Sequence, residues 1–214
     1  MEQLYEPETV NIPSGRLLMG TPHFPQSEFA GFLRPWHTGK IVDLEPFKIG
    51  KYEVTNIEYR NFIKDTGAFT PLKMGDAAWN MDRQPVVGIS WEDATEYCSW
   101  LYQKTGKSYR LPSDEEYEYS ARGGLESAKF PWGNDFDVTY ANVGRVGNPT
   151  EVGSYSPNGF GVYDLIGSVW EWCADRFEDV SGGIAAINSP TGKDPADNPV
   201  LRGGSHHTDE EIYL

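Results

Sequence analysis

Cysteine, basic residues and long apolar runs are all scarce in this sequence, and each shortage excludes a class of function. Only two cysteines, Cys98 and Cys173, occur in 214 residues. That excludes the dense disulfide framework of a small secreted domain, and the aromatic and apolar setting of each thiol predicts a small buried hydrophobe rather than a disulfide partner. Lysine and arginine number 18 against 32 acidic residues, a net charge of -14. No basic stripe forms, so phosphate backbones and anionic lipid headgroups are repelled, and neither nucleic acid nor a membrane surface is an expected partner. No apolar stretch approaches the roughly 18 residues that span a bilayer, and the N-terminus has no charged-then-apolar leader pattern. A soluble, cytoplasmic protein is expected; a secreted mature form would read the same way. Also missing are a glycine-rich phosphate loop with lysine, a Gly-x-Ser-x-Gly elbow and a His-Glu-x-x-His pair.

Glycine (23), proline (15), tyrosine (12) and tryptophan (7) are abundant, while long helical periodicities are few. This composition predicts an irregular α+β domain rich in loops, with aromatic rings supplying core volume. There is no repeat, low-complexity tract or internal linker, and the length suits one domain over residues 1–214. Three helices announce themselves by capping signals: one from Thr55-Asn56-Ile57-Glu58 over about 56–65, a second from Ser90-Trp91-Glu92-Asp93 to before Gly106, and a short third from Pro112-Ser113-Asp114-Glu115-Glu116 to Gly123-Gly124. On the second helix Ala94, Tyr97, Cys98 and Leu101 share an apolar face; on the third Tyr117 and Ala121 do, with Glu115, Glu116 and Glu118 expected on a solvated face that offsets the helix dipole. Strands are expected at Arg16–Met19, Ile41–Leu44, Phe47–Ile49, Gly161–Tyr163 and Val200–Arg202. Residues 131–155, dense in turn formers but also in aromatics, read as ordered loop.

Several unusual strings recur in a fixed order: Ile12-Pro13-Ser14-Gly15 with Leu18-Met19-Gly20; Tyr52-Glu53-Val54-Thr55-Asn56 with Tyr59 and Phe62; Pro85-Val86-Val87-Gly88-Ile89-Ser90-Trp91; Tyr109-Arg110-Leu111-Pro112-Ser113 with Glu116 to Tyr119; Pro131-Trp132-Gly133-Asn134; Pro157-Asn158-Gly159-Phe160-Gly161-Val162-Tyr163-Asp164-Leu165-Ile166-Gly167-Ser168-Val169-Trp170-Glu171-Trp172; and Leu201-Arg202-Gly203-Gly204-Ser205. Together they resemble the formylglycine-generating enzyme (sulfatase-modifying factor) superfamily over nearly the whole chain. The resemblance implies a variant of the C-type lectin fold. Within the longest string, Asn158-Gly159 is a turn dipeptide, and Asp164 and Glu171 flank a tight segment at Gly167 that would suit a hard divalent cation. On spacing alone the two acids equally fit a solvated or helix-capping aspartate and a buried glutamate paired with arginine. The family resemblance implies calcium, held by the side chains of Asp164 and Glu171 and the carbonyls of Gly167 and Val169. A second family calcium site begins at Asn142 and the Val143 carbonyl, but its remaining ligands fall in a loop that is shortened here between Gly144 and Thr150.

Family enzymes oxidise a substrate cysteine to formylglycine with copper(I) held by two thiolates shortly after Gly-Gly-Ser. Here Ser205 is followed by His206-His207-Thr208-Asp209-Glu210-Glu211-Ile212-Tyr213-Leu214, without cysteine. Cys98 and Cys173 match structural positions, so copper chemistry is not expected. If residues 205–208 are extended, His206 and His207 face opposite ways and make a poor chelate; His23 and His37 are distant candidates. Ser205, His206 and His207 are therefore expected to rim an altered ligand groove. The family's strands beyond this point have no counterpart in the sequence as read. The expected function is a calcium-stabilised binding or regulatory scaffold for a protein, peptide or small molecule. The alternative is a metal- and oxygen-dependent oxidoreductase, of the formylglycine-generating or iron-dependent sulfoxide synthase type.

Overall fold

The computed structural model describes residues 6–20, 40–144, 147–176 and 199–208. The chain enters through four short strands, β1 (Thr9–Ile12), β2 (Gly15–Met19), β3 (Lys40–Leu44) and β4 (Phe47–Gly50). β2 pairs antiparallel with β3, and β1 pairs with β4 outside that ribbon, in the registers Gly15↔Leu44 and Ile12↔Phe47. Alternation decides which faces are buried: Ile12, Leu17 and Met19 point inward, while Thr9, Asn11, Arg16 and Leu18 point out. The last ribbon joins β5 (Glu171–Arg176) to β6 (Pro199–Arg202), again antiparallel. Four expected strands are present within a residue of their bounds. The fifth, Gly161–Tyr163, is not a strand: the segment is loop, held because Asn158 folds back on it. β1 (TVNI) and β5 (EWCADR) are additions to the expected set; β1 is rich in β-branched residues but only four long, β5 has few strand formers, and each forms where a partner strand meets it.

Three helices lie between the ribbons: α1 (Asn56–Thr66), α2 (Trp91–Thr105) and α3 (Asp114–Arg122). Each begins at a reciprocal capping box, through Thr55 with Glu58, Ser90 with Asp93 and Ser113 with Glu116, and each ends at a glycine in the left-handed region. The Ser113 amide donates to Glu116 at 2.8 Å, and the Glu116 amide returns the bond to Ser113 Oγ at 3.1 Å. α1 and α2 pack through Tyr59, Phe62, Tyr97, Trp100 and Leu101. Their rings meet edge-on or tilted at centroid separations of 5.2 to 5.7 Å, the geometry that ring quadrupoles favour. Trp100 rather than Cys98 completes the buried face of α2; Cys98 is half-buried, Cys173 is fully buried, and both are free thiols. A second core joins Ile12, Tyr117, Ala121, Val162, Leu165 and Cys173, fastening α3 between the entry strands and β5.

Glu118 departs from its expected solvated position. It is buried in a charged network: Oε1 accepts from Arg122 at 2.7 Å and from the Gly20 amide at 2.8 Å, and Oε2 accepts from Arg202 at 2.9 Å. Arg202 also bonds Asp114, and Arg122 donates to the Ala128 and Gly20 carbonyls. The network ties the end of β2, helix α3 and strand β6 together. Burial pushes the Glu118 carboxyl up, but Arg202 and Arg122 more than offset it and hold it below its ordinary value.

Removing Arg202 would strand the buried Asp114 carboxylate and leave Glu118 with Arg122 alone, so Arg202→Met should lower unfolding stability by about 3 kcal/mol in urea titrations; a loss no larger than that of a surface substitution would contradict this network. Because Glu118 titrates lower in the folded state, it stabilises the fold above the unfolded value of 4.5, and that contribution fades as pH falls through the folded value. The melting temperature should therefore drop on acidification below about pH 5, and less steeply in Glu118→Gln.

Candidate metal centre and adjoining cavity

The site is built by the loop that runs from Asn158 into β5. Asn158 Oδ1 accepts the amides of Phe160 and Val162 at 3.0 and 3.2 Å, while its Nδ2 donates to the Ser120 carbonyl at 2.7 Å. One side chain thus shapes the loop and docks it on the C-terminal end of α3. Residues 164–171 contain three in the left-handed region, Asp164 (φ 56°), Gly167 (φ 78°) and Ser168 (φ 53°). Aspartate and serine rarely adopt this conformation, and it persists where surroundings over-determine it. Those surroundings are explicit: Gly167 donates to the Gly203 carbonyl at 2.9 Å, and Ser168 donates to the Asn142 carbonyl at 2.9 Å. A Cβ at Gly167 would lie 2.3 Å from the Asn142 oxygen, so only glycine permits this approach.

The curled segment gathers carboxylates. Asp164 Oδ2 accepts the Gly153 amide at 2.6 Å. Glu171 is not paired with an arginine; its Oε1 accepts from Tyr117 Oη at 2.8 Å, and Tyr117 also bonds the Leu165 carbonyl at 2.9 Å. A third carboxylate joins them from outside the expected set: Glu53, 8 % exposed, whose two oxygens have no hydrogen-bond partner. Burial, then the charges of Asp164 and Glu171, push its carboxyl well above the usual range. Burial likewise raises Glu171, to about 7, and raises Asp164. No lysine or arginine offsets these three among the described residues. Among the described residues no three His, Cys, Asp or Glu side chains come together as ligands for one metal ion, so Glu53, Asp164 and Glu171 do not all ligate a single cation in this conformation, and an ion here would be held by fewer of these side chains together with backbone oxygens.

The positions expected for the second calcium site also meet this segment. Asn142 bridges Gly167 in parallel fashion, and Val143 packs with Ala141 and Ile166. Asn142 is engaged by protein, its carbonyl with Ser168 and its amide with the Asn148 carbonyl at 3.4 Å. Residues 145 and 146 of the shortened loop lie outside the described residues.

The carboxylates adjoin a cavity of about 890 Å³, whose walls include Glu53 and Glu171 together with Tyr52, Trp79, Val169, Trp170, Ser205 and His206. Residues 205–208 are not extended: the chain turns, with the Thr208 amide donating to the Ser205 carbonyl at 2.8 Å. The two histidine rings consequently lie side by side, 4.0 Å between centroids, with His206 buried and His207 exposed. His206 bonds the Ser168 carbonyl twice, through its amide at 2.9 Å and its Nδ1 at 2.8 Å. Burial holds its imidazole below its ordinary pKa. His23 and His37 lie outside the described residues. Sequence reasoning missed Glu53 and Trp79; an acid between Tyr52 and Val54 just before a helix cap was the available signal for Glu53.

With this geometry in view, the relatives can be placed. The sulfatase-modifying factor enzyme 1-like domain model matches residues 1–213. The chain is 30% identical to the formylglycine-generating enzyme of Mus musculus over 92% of its own length, and it spans 65% of that enzyme. It is 27% identical to the inactive C-alpha-formylglycine-generating enzyme 2 of the same organism, over 90% of this chain and 76% of that one. Among solved structures, PvdO from Pseudomonas aeruginosa superposes with a TM-score of 0.70 at 30% identity, covering 96% of this chain and 84% of that one. A mixed α/β fold with few helices, the order of motifs and the matched length agree, and the chain belongs to the sulfatase-modifying factor family of formylglycine-generating-enzyme-like domains.

Proposed function

We propose that this domain is a calcium-stabilised binding scaffold, a C-type-lectin-like member of its family that holds a protein, peptide or small-molecule ligand in the cavity beside Ser205 and His206. One observation carries the metal half of this reading: the buried Glu53 and the half-buried Asp164 and Glu171 act on one another without a cationic side chain among the described residues. Buried charges are tolerated when paired or bound to metal. A hard divalent ion bound by the Asp164 and Glu171 side chains and by the Gly167 and Val169 carbonyls, with Glu53 close by, supplies the missing charge, and calcium accepts six to eight oxygens in flexible geometry. The sequence places no cysteine between Ser205 and Leu214. Of the two present, Cys98 has its thiol pushed up to about 11 by burial and Cys173 is raised further, the opposite of what a thiolate copper ligand requires. One relative is itself named inactive, which fits a family member retained for binding.

Elemental analysis of the purified protein should find calcium and neither copper nor iron in stoichiometric amount; stoichiometric copper or iron would overturn the scaffold reading in favour of an oxidase. Calcium at about a hundredfold excess over its dissociation constant should stabilise the fold by about 2.7 kcal/mol, a rise of roughly 5–10 °C in melting temperature for a domain of this size. Glu53→Gln should melt higher than the unaltered protein when both are calcium-free, because a strained buried charge is gone, and should gain less from added calcium. Equal calcium gains in the two proteins would remove Glu53 from the site.

A further inference from the structure

We infer that the cavity binds a neutral apolar ligand more tightly when the metal centre is loaded, because the two share a wall. The inference rests on the proposed calcium site and on the reading of the cavity as a ligand site. Of the four residues proposed to hold the ion, Val169 and Glu171 line the cavity, whereas Asp164 and Gly167 do not. The proposed centre is therefore built into the cavity wall rather than set apart from it. Trp170 stands between Val169 and Glu171 in the chain, lines the same cavity and is 42 % exposed. Its backbone is bracketed by two of the proposed oxygen donors. One residue before Val169, the Ser168 carbonyl accepts from the His206 amide at 2.9 Å and bonds the His206 ring at 2.8 Å, and His206 is part of the wall as well.

Charge and order both give the coupling a positive sign. Glu53 and Glu171 are wall residues without a cationic side chain to offset them among the described residues. An apolar body that displaces water from beside such carboxylates leaves them poorly solvated, which opposes its binding. With a divalent ion held at the centre that opposition falls, and the rest of the wall, which includes Tyr52, Trp79, Trp170 and Trp172, favours an apolar body. An organic cation gains nothing from the change, because the charge it would meet is already offset. Order acts in the same direction. When the Val169 carbonyl and the Glu171 carboxylate are both engaged, Trp170 between them is held before the ligand arrives, and a preorganised wall binds more tightly. Coupling between two sites is reciprocal, so the ligand tightens calcium by the same factor.

N-phenyl-1-naphthylamine, a neutral apolar dye that brightens in apolar surroundings, serves as the cavity probe. Its dissociation constant for the unaltered protein should be about tenfold lower with calcium than with a chelator, and saturating dye should tighten calcium by the same factor in titration calorimetry. The sign separates this from general loosening, since a loosened calcium-free protein exposes apolar surface and takes up such a dye more readily. Asp164→Asn replaces an ion ligand outside the cavity wall, and asparagine tolerates the left-handed backbone there and can accept the Gly153 amide. It should abolish the effect of calcium on the dye. Trp170→Ala should weaken the dye with calcium present. The paired titrations of the unaltered protein stand even if a variant fails to fold. Dye and calcium that bind without affecting one another, dye that binds more tightly in chelator, or dye indifferent to Trp170→Ala overturns the inference and leaves the calcium scaffold standing. Calcium binding with no dye bound in either state overturns the inference and the cavity reading together, and absence of calcium binding removes the metal reading and the inference with it.

Discussion

Uncompensated negative charge at the junction of the entry strands, α3 and β5 is the constraint on which the site depends. Glu53 arrives just before α1, and Asp164 and Glu171 arrive at either end of a loop with three left-handed residues. None of these carboxylates has a cationic neighbour among the described residues, although the chain builds just such pairs nearby: Glu118, on α3 beside Tyr117, is held by two arginines. The contrast is informative because it occurs within one helix's reach. A fold that neutralises Glu118 with arginine and leaves Glu53, Asp164 and Glu171 without one keeps three acids whose charge only protonation or a cation from solution could offset.

Ser168 connects that charge to the cavity. Its amide is fixed by the Asn142 carbonyl, its own carbonyl by the amide and ring of His206, and its neighbour Gly167 by the Gly203 carbonyl. These bonds span residues 142, 167–168 and 203–206, three stretches distant in sequence, without using a long sheet. The strands are too short and the sheets too small, at two strands each, to impose such order. Side-chain bonds from Asn158, Tyr117 and Glu118 do the work that a larger sheet does elsewhere, which explains a fold with so much ordered loop.

Much of this was legible in the residues. Capping boxes at Thr55, Ser90 and Ser113 located the three helices to within a residue or so because each box is a local, reciprocal contact. The Asp164, Gly167 and Glu171 cluster was legible because the glycine and the acids stand within eight positions. Glu53 was not, since its relation to Asp164 depends on a packing contact across more than a hundred residues. Glu118 misled for a similar reason: an acid in the first turns of a helix reads as solvated, and only the return of β6 brings Arg202 onto it. Gly161–Tyr163 has the composition of a strand, but Asn158 takes the Gly161 and Val162 amides and only the Tyr163 amide reaches another segment, at the Lys51 carbonyl, so no ladder forms.

The histidine turn shows how a small local choice changes chemistry. Two adjacent side chains on extended chain diverge; a turn closed between Ser205 and Thr208 instead puts one ring inside and the other outside. Once inside, His206 is not free to choose its tautomer, because a carbonyl of the strained loop claims Nδ1. The same loop conformation that sets the carboxylates therefore also fixes the ring proton of His206 on Nδ1. A change at Gly167 that relaxed the loop would move Ser168 and, through it, the imidazole, so the metal centre and the cavity are linked by covalent neighbours rather than by a long relay of contacts.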